Sequence, residues 1–298
     1  MLNILKPNEV IDAARRIRSS GWGKLLICYG IYVLLLLGSG WLVRSIGIGA
    51  EITSLLISNA VATVGCVLFM LTIGKRTPES LGLALDGFFK RYALGWLFAA
   101  ISLCAVWLVN YFFGVIETSL NPGFSGWLLA LLFVGFVFQG FMEEFLLRSL
   151  IMTQLSLRLG ALLGILLNSL LFSLGHVGNS GATWLSTLNT FLIGIVFSLL
   201  FYYHDTVWLV SGFHSGWNFI LGPVLGVAVS GFELPTSVLA THSNMTRAGL
   251  NGGAYGFEAG YPVLVLCLIL IAGYAALILK NRARFINDPA SASDQPAS

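Results

Sequence analysis

Apolar residues neither alternate with polar ones along this chain nor recur as a one-sided helical stripe. They fill nearly continuous stretches of about 17–25 residues, the length at which an α-helix crosses the hydrocarbon layer of a bilayer. Eight such stretches follow one another, at about 25–43, 52–73, 92–114, 127–150, 160–177, 184–203, 206–229 and 261–280. Their ends are softened where glycine or polar residues interrupt the run. The pattern predicts an all-α polytopic membrane protein with about eight transmembrane helices: a cytoplasmic N-terminal segment at 1–24, one membrane domain at 25–280, and a C-terminal tail at 281–298.

Composition agrees and narrows the field. Hydrophobic residues make up 57% of the 298 and charged residues 10%, with a mean hydropathy of +0.86, whereas soluble domains carry about 25% charged residues. No stretch is left over for a separate soluble domain. The four cysteines, Cys28, Cys66, Cys104 and Cys267, stand singly inside apolar runs, without the spacing of a disulfide framework or a thiolate zinc site. A net charge of +3 is too small and too dispersed for a nucleic-acid partner. Its distribution is more informative: of the 16 Lys and Arg residues, only Arg44 and Arg247 fall on the side opposite the termini. The positive-inside rule therefore puts both termini in the cytoplasm. The first apolar run follows a long polar leader and precedes no small-residue cleavage site, so it is expected to remain as a helix.

The connections also carry signals. Residues 7–18 (PNEVIDAARRIR) place Pro7 and the acids early and the arginines late, as suits a helix dipole, and predict a short surface helix. The tail from Asn287 to Ser298 is small and polar and is expected to be disordered. The Gly-, Ser-, Thr- and Asn-rich segment at 230–260 is longer than a connector needs; a lid or access rim and a plain surface loop are both open readings. Gly160, Gly164, Gly175, Gly212 and Gly216 are expected where helices pack closely.

An ionisable side chain within a membrane helix is costly and needs a partner or a purpose. Glu143, Glu144 and Arg148 lie on the fourth stretch, His176 at the end of the fifth, and His214 with Asn218 in the seventh. Glu144 and Arg148 are four apart and so share a helical face on which they can pair. Glu143 is turned about 100° away and is left as a candidate general base. His214 and Asn218, again four apart, aim a ring nitrogen and an amide at one place. The set supplies a base, donors for an oxyanion and up to three metal ligands, as peptide hydrolysis requires. Glu143 sits near the cytoplasmic end of its stretch and His176 near the outer end of its own. Cooperation between them requires the boundaries of the fourth and fifth helices to slide toward the C-terminus.

The ordered motifs EExxxR (Glu143, Glu144, Arg148), FxxxH (Phe172, His176) and HxxxN (His214, Asn218) resemble the CPBP family, the CAAX proteases and bacteriocin-processing enzymes, over about residues 127–222. Two flanking segments, Arg76–Leu83 and Asn251–Glu258, are similar to segments in relatives. The resemblance implies an intramembrane endopeptidase in a bacterial inner membrane, acting on a membrane-anchored peptide or protein. It implies that Glu143 with His176 activates water, that His214 and Asn218 hold the oxyanion, and that Glu144 and Arg148 orient the site. Members have been described both as zinc metalloproteases, which would make His176, His214 and Glu143 the ligands of a Zn2+ ion, and as metal-independent glutamate proteases. No HExxH spacing is present here. Rival readings are a serine peptidase built on Gly178-Asn179-Ser180-Gly181 with His214, a transporter using the buried Glu and His as a proton path, and a non-catalytic scaffold or immunity protein. Substrate identity and oligomeric state are not written in the sequence.

Overall fold

The computed structural model describes residues 8–17, 21–45 and 51–287, with side chains described from 57 to 281 within the last segment. Lys6, Pro7 and Arg18 and the tail beyond Asn287 lie outside the described residues, as do the side chains of Arg282 and Arg284.

Helices form where the apolar runs predict them. They are α2 (Trp22–Ser45), α3 (Glu51–Thr72), α4 (Phe88–Phe112), α5 (Gly126–Glu144), α7 (Ala161–Leu174), α8 (Trp184–His204), α9 (Val207–Phe219) and α11 (Tyr261–Asn287). Among the described residues, five helices are long and apolar enough to cross a membrane: Trp22–Ser45, Phe88–Phe112, Gly126–Leu159, Trp184–His204 and Tyr261–Asn281. Ile57–Thr72 and Ala161–Leu174 are apolar but shorter. Helix α9 packs between α4 and α5; α3 joins α5 to α2, and α8 joins α7 to α11. In α8 67% of the apolar window is buried inside the protein, against 17% in α2 and in α11, so α8 is central and the other two present most of their apolar surface outward.

The fourth helix departs from its predicted limits. Helix α5 does not stop at 150 but passes through a π-helical segment, Phe145–Met152, into α6 (Thr153–Leu159), making 34 residues in all. Glu143 therefore lies midway along it. The fifth helix does not slide as expected: α7 ends at Leu174, and His176 sits in the turn that follows. The seventh run is also interrupted, because Pro223 lacks an N–H and crowds the carbonyl four residues back, and Ile220–Val224 widens into a π-turn.

One end of the bundle is closed by α1 (Glu9–Arg16). Asn8 caps it by accepting from the N–H of Ile11, and its amide donates to Tyr202 O at 2.9 Å, while Val10, Ile11 and Ala14 are buried beneath. Beside it the 76–85 segment is tied down by the buried Arg76, whose guanidinium donates to Ser80 Oγ and Ser80 O; burial pulls that guanidinium down to about 10, still protonated at neutral pH. Gly82, at φ +67°, turns its carbonyl to the N–H of Val207 and so satisfies an orphan donor at the start of α9.

The opposite end carries a feature the all-α reading passes over. Strand β1 (Ile116–Leu120) pairs antiparallel with β2 (Leu239–Ser243), Ile116 opposite Ser243 and Leu120 opposite Leu239. Neither five-residue segment alternates apolar and polar residues clearly enough to announce a strand. The 225–260 segment then continues through the short helix α10 (Ala248–Asn251) and is folded over this end.

Close packing rests on small residues. A Cβ at Gly95 of α4 would strike the backbone of α9 at Leu209, and one at Gly212 of α9 would strike Tyr92 O of α4. Gly140 meets Ser215, Gly216 meets Trp96, and Gly164 meets Ser156 in the same way. Gly160 and Gly175 do not belong with them. Gly160, at φ +88° with open space around it, makes the turn between α6 and α7, and Gly175 lies in ordinary contact with its own preceding turn.

Gly212→Ala is expected to cost about 1–3 kcal/mol by overpacking against a backbone that cannot yield. Gly30→Ala on α2, which faces open space, is expected to be neutral or slightly stabilising. Thermal unfolding of the purified variants in detergent checks both.

Candidate active site

Three of the sequence-selected residues, Glu144, Arg148 and His214, meet at one buried ion pair. Glu144 and Arg148 are fully buried, and Arg148 Nη1 donates to Glu144 Oε1 at 2.9 Å. Arg148 Nη2 donates to Gly194 O of α8 at 3.1 Å, and the guanidinium lies 4.9 Å from the ring centre of Phe172 and 5.3 Å from that of Phe197. Two aromatic faces and a carbonyl thus surround a cation held in an apolar bundle. Gly194 allows this: a Cβ there would press on Ser169 and Phe172 of α7.

The same Glu144 oxygen accepts from His214 Nδ1 of α9 at 2.8 Å. Since a carboxylate accepts, the proton sits on Nδ1, and Nε2 is directed at Glu143, 3.9 Å from its Oε2. That gap is too long for a direct hydrogen bond and of the size one bridging atom spans. Glu143, a quarter exposed, accepts from Gln139 Nε2 through Oε1 at 2.5 Å. Gln139 Oε1 in turn accepts from Asn218 Nδ2 at 2.9 Å. In the turn after α7, His176 Nδ1 donates to Phe172 O at 2.9 Å, leaving its Nε2 as an acceptor. It shares a cavity with Glu143 rather than a hydrogen bond.

That cavity, of about 260 Å³, is lined by Gln139, Glu143, His176, His214 and Asn218 and walled by Phe136, Met142, Phe172, Ile193 and Phe197. Its far side is the 225–260 segment, through Val229, Ser230, Phe232, Leu234 and Glu258. Glu258 pins this segment to the helices. It accepts from Trp217 Nε1 at 3.0 Å, Ser230 N at 2.6 Å and Ser230 Oγ at 2.9 Å, while Asn189 of α8 donates to its carbonyl at 2.9 Å. The segment is therefore an ordered wall of the cavity.

Sequence reasoning did not single out Gln139, Phe197, Trp217 or Glu258 as parts of the site. Gln139 was within reach of it, since it lies one helical turn before Glu143 on the same face. Phe197 gave no comparable signal, because it arrives from α8; Glu258 was marked only as the end of the Asn251–Glu258 segment that is similar to one in relatives. The serine alternative gains nothing: Ser180 is exposed and does not line the cavity, and His214 is engaged by Glu144. For zinc, the test is whether His176, His214 and Glu143 come together as ligands. Among the described residues no group of three or more His, Cys, Asp or Glu is arranged to hold a metal ion, so the side chains as they stand do not fit one.

A helical membrane bundle that encloses paired glutamates, two histidines and an asparagine defines a class, and comparison with known families agrees. Residues 125–220 match the family model described as type II CAAX prenyl endopeptidase Rce1-like. Over this third of its length the chain matches the CAAX proteases, the group its motifs resemble, and all six residues of those motifs that bear charge or an amide fall inside the match. No curated protein matches the chain.

Arg148→Met is expected to destabilise the protein by about 3–5 kcal/mol, because it strands a buried carboxylate. Glu144→Gln combined with Arg148→Met is expected to recover part of that loss. The thermal midpoint and the monodisperse yield of each variant in detergent measure the difference.

Proposed function

We propose that this protein is an intramembrane endopeptidase that hydrolyses a peptide bond in a membrane-anchored peptide or protein. The observation that carries the proposal is the convergence, in one cavity walled by aromatic and aliphatic side chains, of Glu143, His176, His214 and Asn218 from separate helices. The match to a peptidase family over the same residues supports it.

In this reading Glu143 takes a proton from a water molecule held in the cavity, and His176, its Nδ1–H committed to Phe172 O, orients that water through the Nε2 lone pair. The hydroxide adds to the scissile carbonyl carbon. Asn218 and His214, the latter when Nε2 is protonated, donate to the oxyanion. Glu144 and Arg148 hold the His214 ring in place and touch no reacting atom. As the tetrahedral intermediate collapses, the C–N bond breaks and Glu143 returns its proton to the leaving amine, so the protons balance over the cycle. No step is routed through a metal: Glu143, His176 and His214 share the cavity but, among the described residues, do not form a group of three placed to hold an ion.

We place all eight apolar helices within a bacterial inner membrane, with both termini cytoplasmic. The distribution of Lys and Arg supports that orientation. The cavity then lies toward the outer end, where the 225–260 segment covers it.

The test is cleavage of a membrane-anchored fluorogenic peptide library, including prenylated CAAX peptides, by the full chain in proteoliposomes. Wild type is expected to cleave, and Glu143→Ala, matched for folding, to lose at least about 10³-fold in kcat, as removal of an essential base does. Treatment with chelator is expected to leave the rate unchanged; a loss restored by added Zn2+ would reassign the mechanism to a metal. Equal activity of wild type and Glu143→Ala, or a folded wild type inert across the library, would sink the peptidase reading and favour a proton path or a scaffold.

A further inference from the structure

Gln139 touches two of the proposed catalytic groups at once. Its amide is used from both ends: Nε2–H donates to Glu143 Oε1 at 2.5 Å, and Oε1 accepts from Asn218 Nδ2 at 2.9 Å. A single orientation of the amide satisfies both contacts, because a carboxylate accepts only and the Asn218 nitrogen donates only. Gln139 reaches both groups because α5 and α9 pack tightly one residue away, where Gly140 has no Cβ and faces the backbone nitrogen of Ser215. Glu143 is one turn along α5 from Gln139, and Asn218 lies three residues past Ser215 on α9. The bridge thus joins the helix that carries the base to the helix that carries the oxyanion donor.

We propose that Gln139 is a positioning residue of this site, one that sets the carboxylate of Glu143 and the amide of Asn218 in a fixed relation to each other. With Oε1 of Glu143 held by Gln139, Oε2 is the oxygen turned toward His214 and the cavity. With one Asn218 N–H committed to Gln139, the amide is fixed in the orientation that leaves its second N–H for the oxyanion. The residue touches neither water nor substrate in this scheme; it acts through its two neighbours. A small error in such relative placement is enough to slow a reaction about 100-fold. The inference rests on the reading of Glu143 as the base, and its test separates the two.

The experiment measures kcat and KM for Gln139→Leu, Gln139→Glu, Asn218→Ala and the Gln139→Leu/Asn218→Ala pair. It uses the full chain in proteoliposomes on one cleaved member of the fluorogenic library, with Glu143→Gln as the reference. Gln139→Leu is expected to lower kcat about 10- to 100-fold, the range for losing one hydrogen bond to a charged group, with KM held within about threefold. The double variant is expected to be much less impaired than the product of the two single losses, because both act on one linked unit. Gln139→Glu, nearly the same shape, is expected to be no better than Gln139→Leu, since it sets a second carboxyl against Glu143.

Recovery of wild-type kcat by Gln139→Glu would mean that only the shape of the side chain matters and would overturn the proposal. Independent losses that multiply in the double variant would overturn it as well. If Glu143→Gln cleaves as well as wild type, the base assignment itself falls, and the role of Gln139 with it. An inactive Glu143→Gln beside a fully active Gln139→Leu removes Gln139 alone.

Discussion

The fixed point of this molecule is the contact among Glu144, Arg148 and His214, three groups buried inside an apolar bundle. Charge at such a place is tolerated only when it is paired. The requirement fixes its surroundings. Arg148 needs the Gly194 carbonyl and the faces of Phe172 and Phe197, which brings α7 and α8 against the π-helical segment after Glu144. Glu144 needs a second donor, which draws in His214 from α9. Once Nδ1 of His214 is committed there, Nε2 is directed at Glu143 and the cavity. The chemistry exposed to that cavity is thus oriented by groups that never enter it.

Packing carries the same constraint outward. Between membrane helices there is little gain from moving apolar surface off lipid, and association depends on close contact and on polar links. Helix α9 illustrates both. Gly212 and Gly216 admit α4, Ser215 meets Gly140 of α5, and Trp217 donates to Glu258 of the covering loop. The helix that holds His214 and Asn218 is consequently clamped on several sides, while α2 and α11, which hold no charged site residue, present most of their apolar surface outward. The loop joins the same network rather than lying loosely over it, since Glu258, itself held by Ser230, accepts from the Trp217 side chain and Asn189 holds its backbone.

The helices were legible in the sequence because a bilayer demands long apolar runs, and each apolar run falls on a helix, although the helices differ in length. The pairing of Glu144 with Arg148 was legible for a related reason: four residues on a helix return a side chain to the same face. What the sequence concealed depends on three-dimensional neighbours. Nothing in FLLRSLIM marks the π-helical turn, and nothing in IETSL or LATHS marks a strand that exists only because its partner lies more than a hundred residues away. Gly160 and Gly175 look like the other glycines in composition, but whether a glycine admits a neighbour or makes a turn is decided by what stands opposite it. Gln139 was obscured because a neutral amide in a membrane helix draws less notice than a charge, although it sits one turn before Glu143.

The depth conflict between Glu143 and His176 was visible in the sequence, but its resolution was not the expected one. Two helices of unequal length remove it. At about 1.5 Å per residue the 34-residue helix Gly126–Leu159 extends about 50 Å, well beyond the roughly 30 Å of a hydrocarbon core, so a residue midway along it lies deep in the bundle. Helix α7, with 14 residues, extends only about 21 Å and stops short of crossing. Its chain turns at Gly175, and the ring that follows is delivered to the cavity from a turn, with Nδ1 returned to Phe172 O to hold it. Counted from the turn at Gly160, Glu143 lies 17 residues back and His176 16 residues on, which brings the two to a similar level. The short helix places the histidine and the long one places the glutamate, and both are anchored where Arg148 of the long helix stacks on Phe172 of the short one.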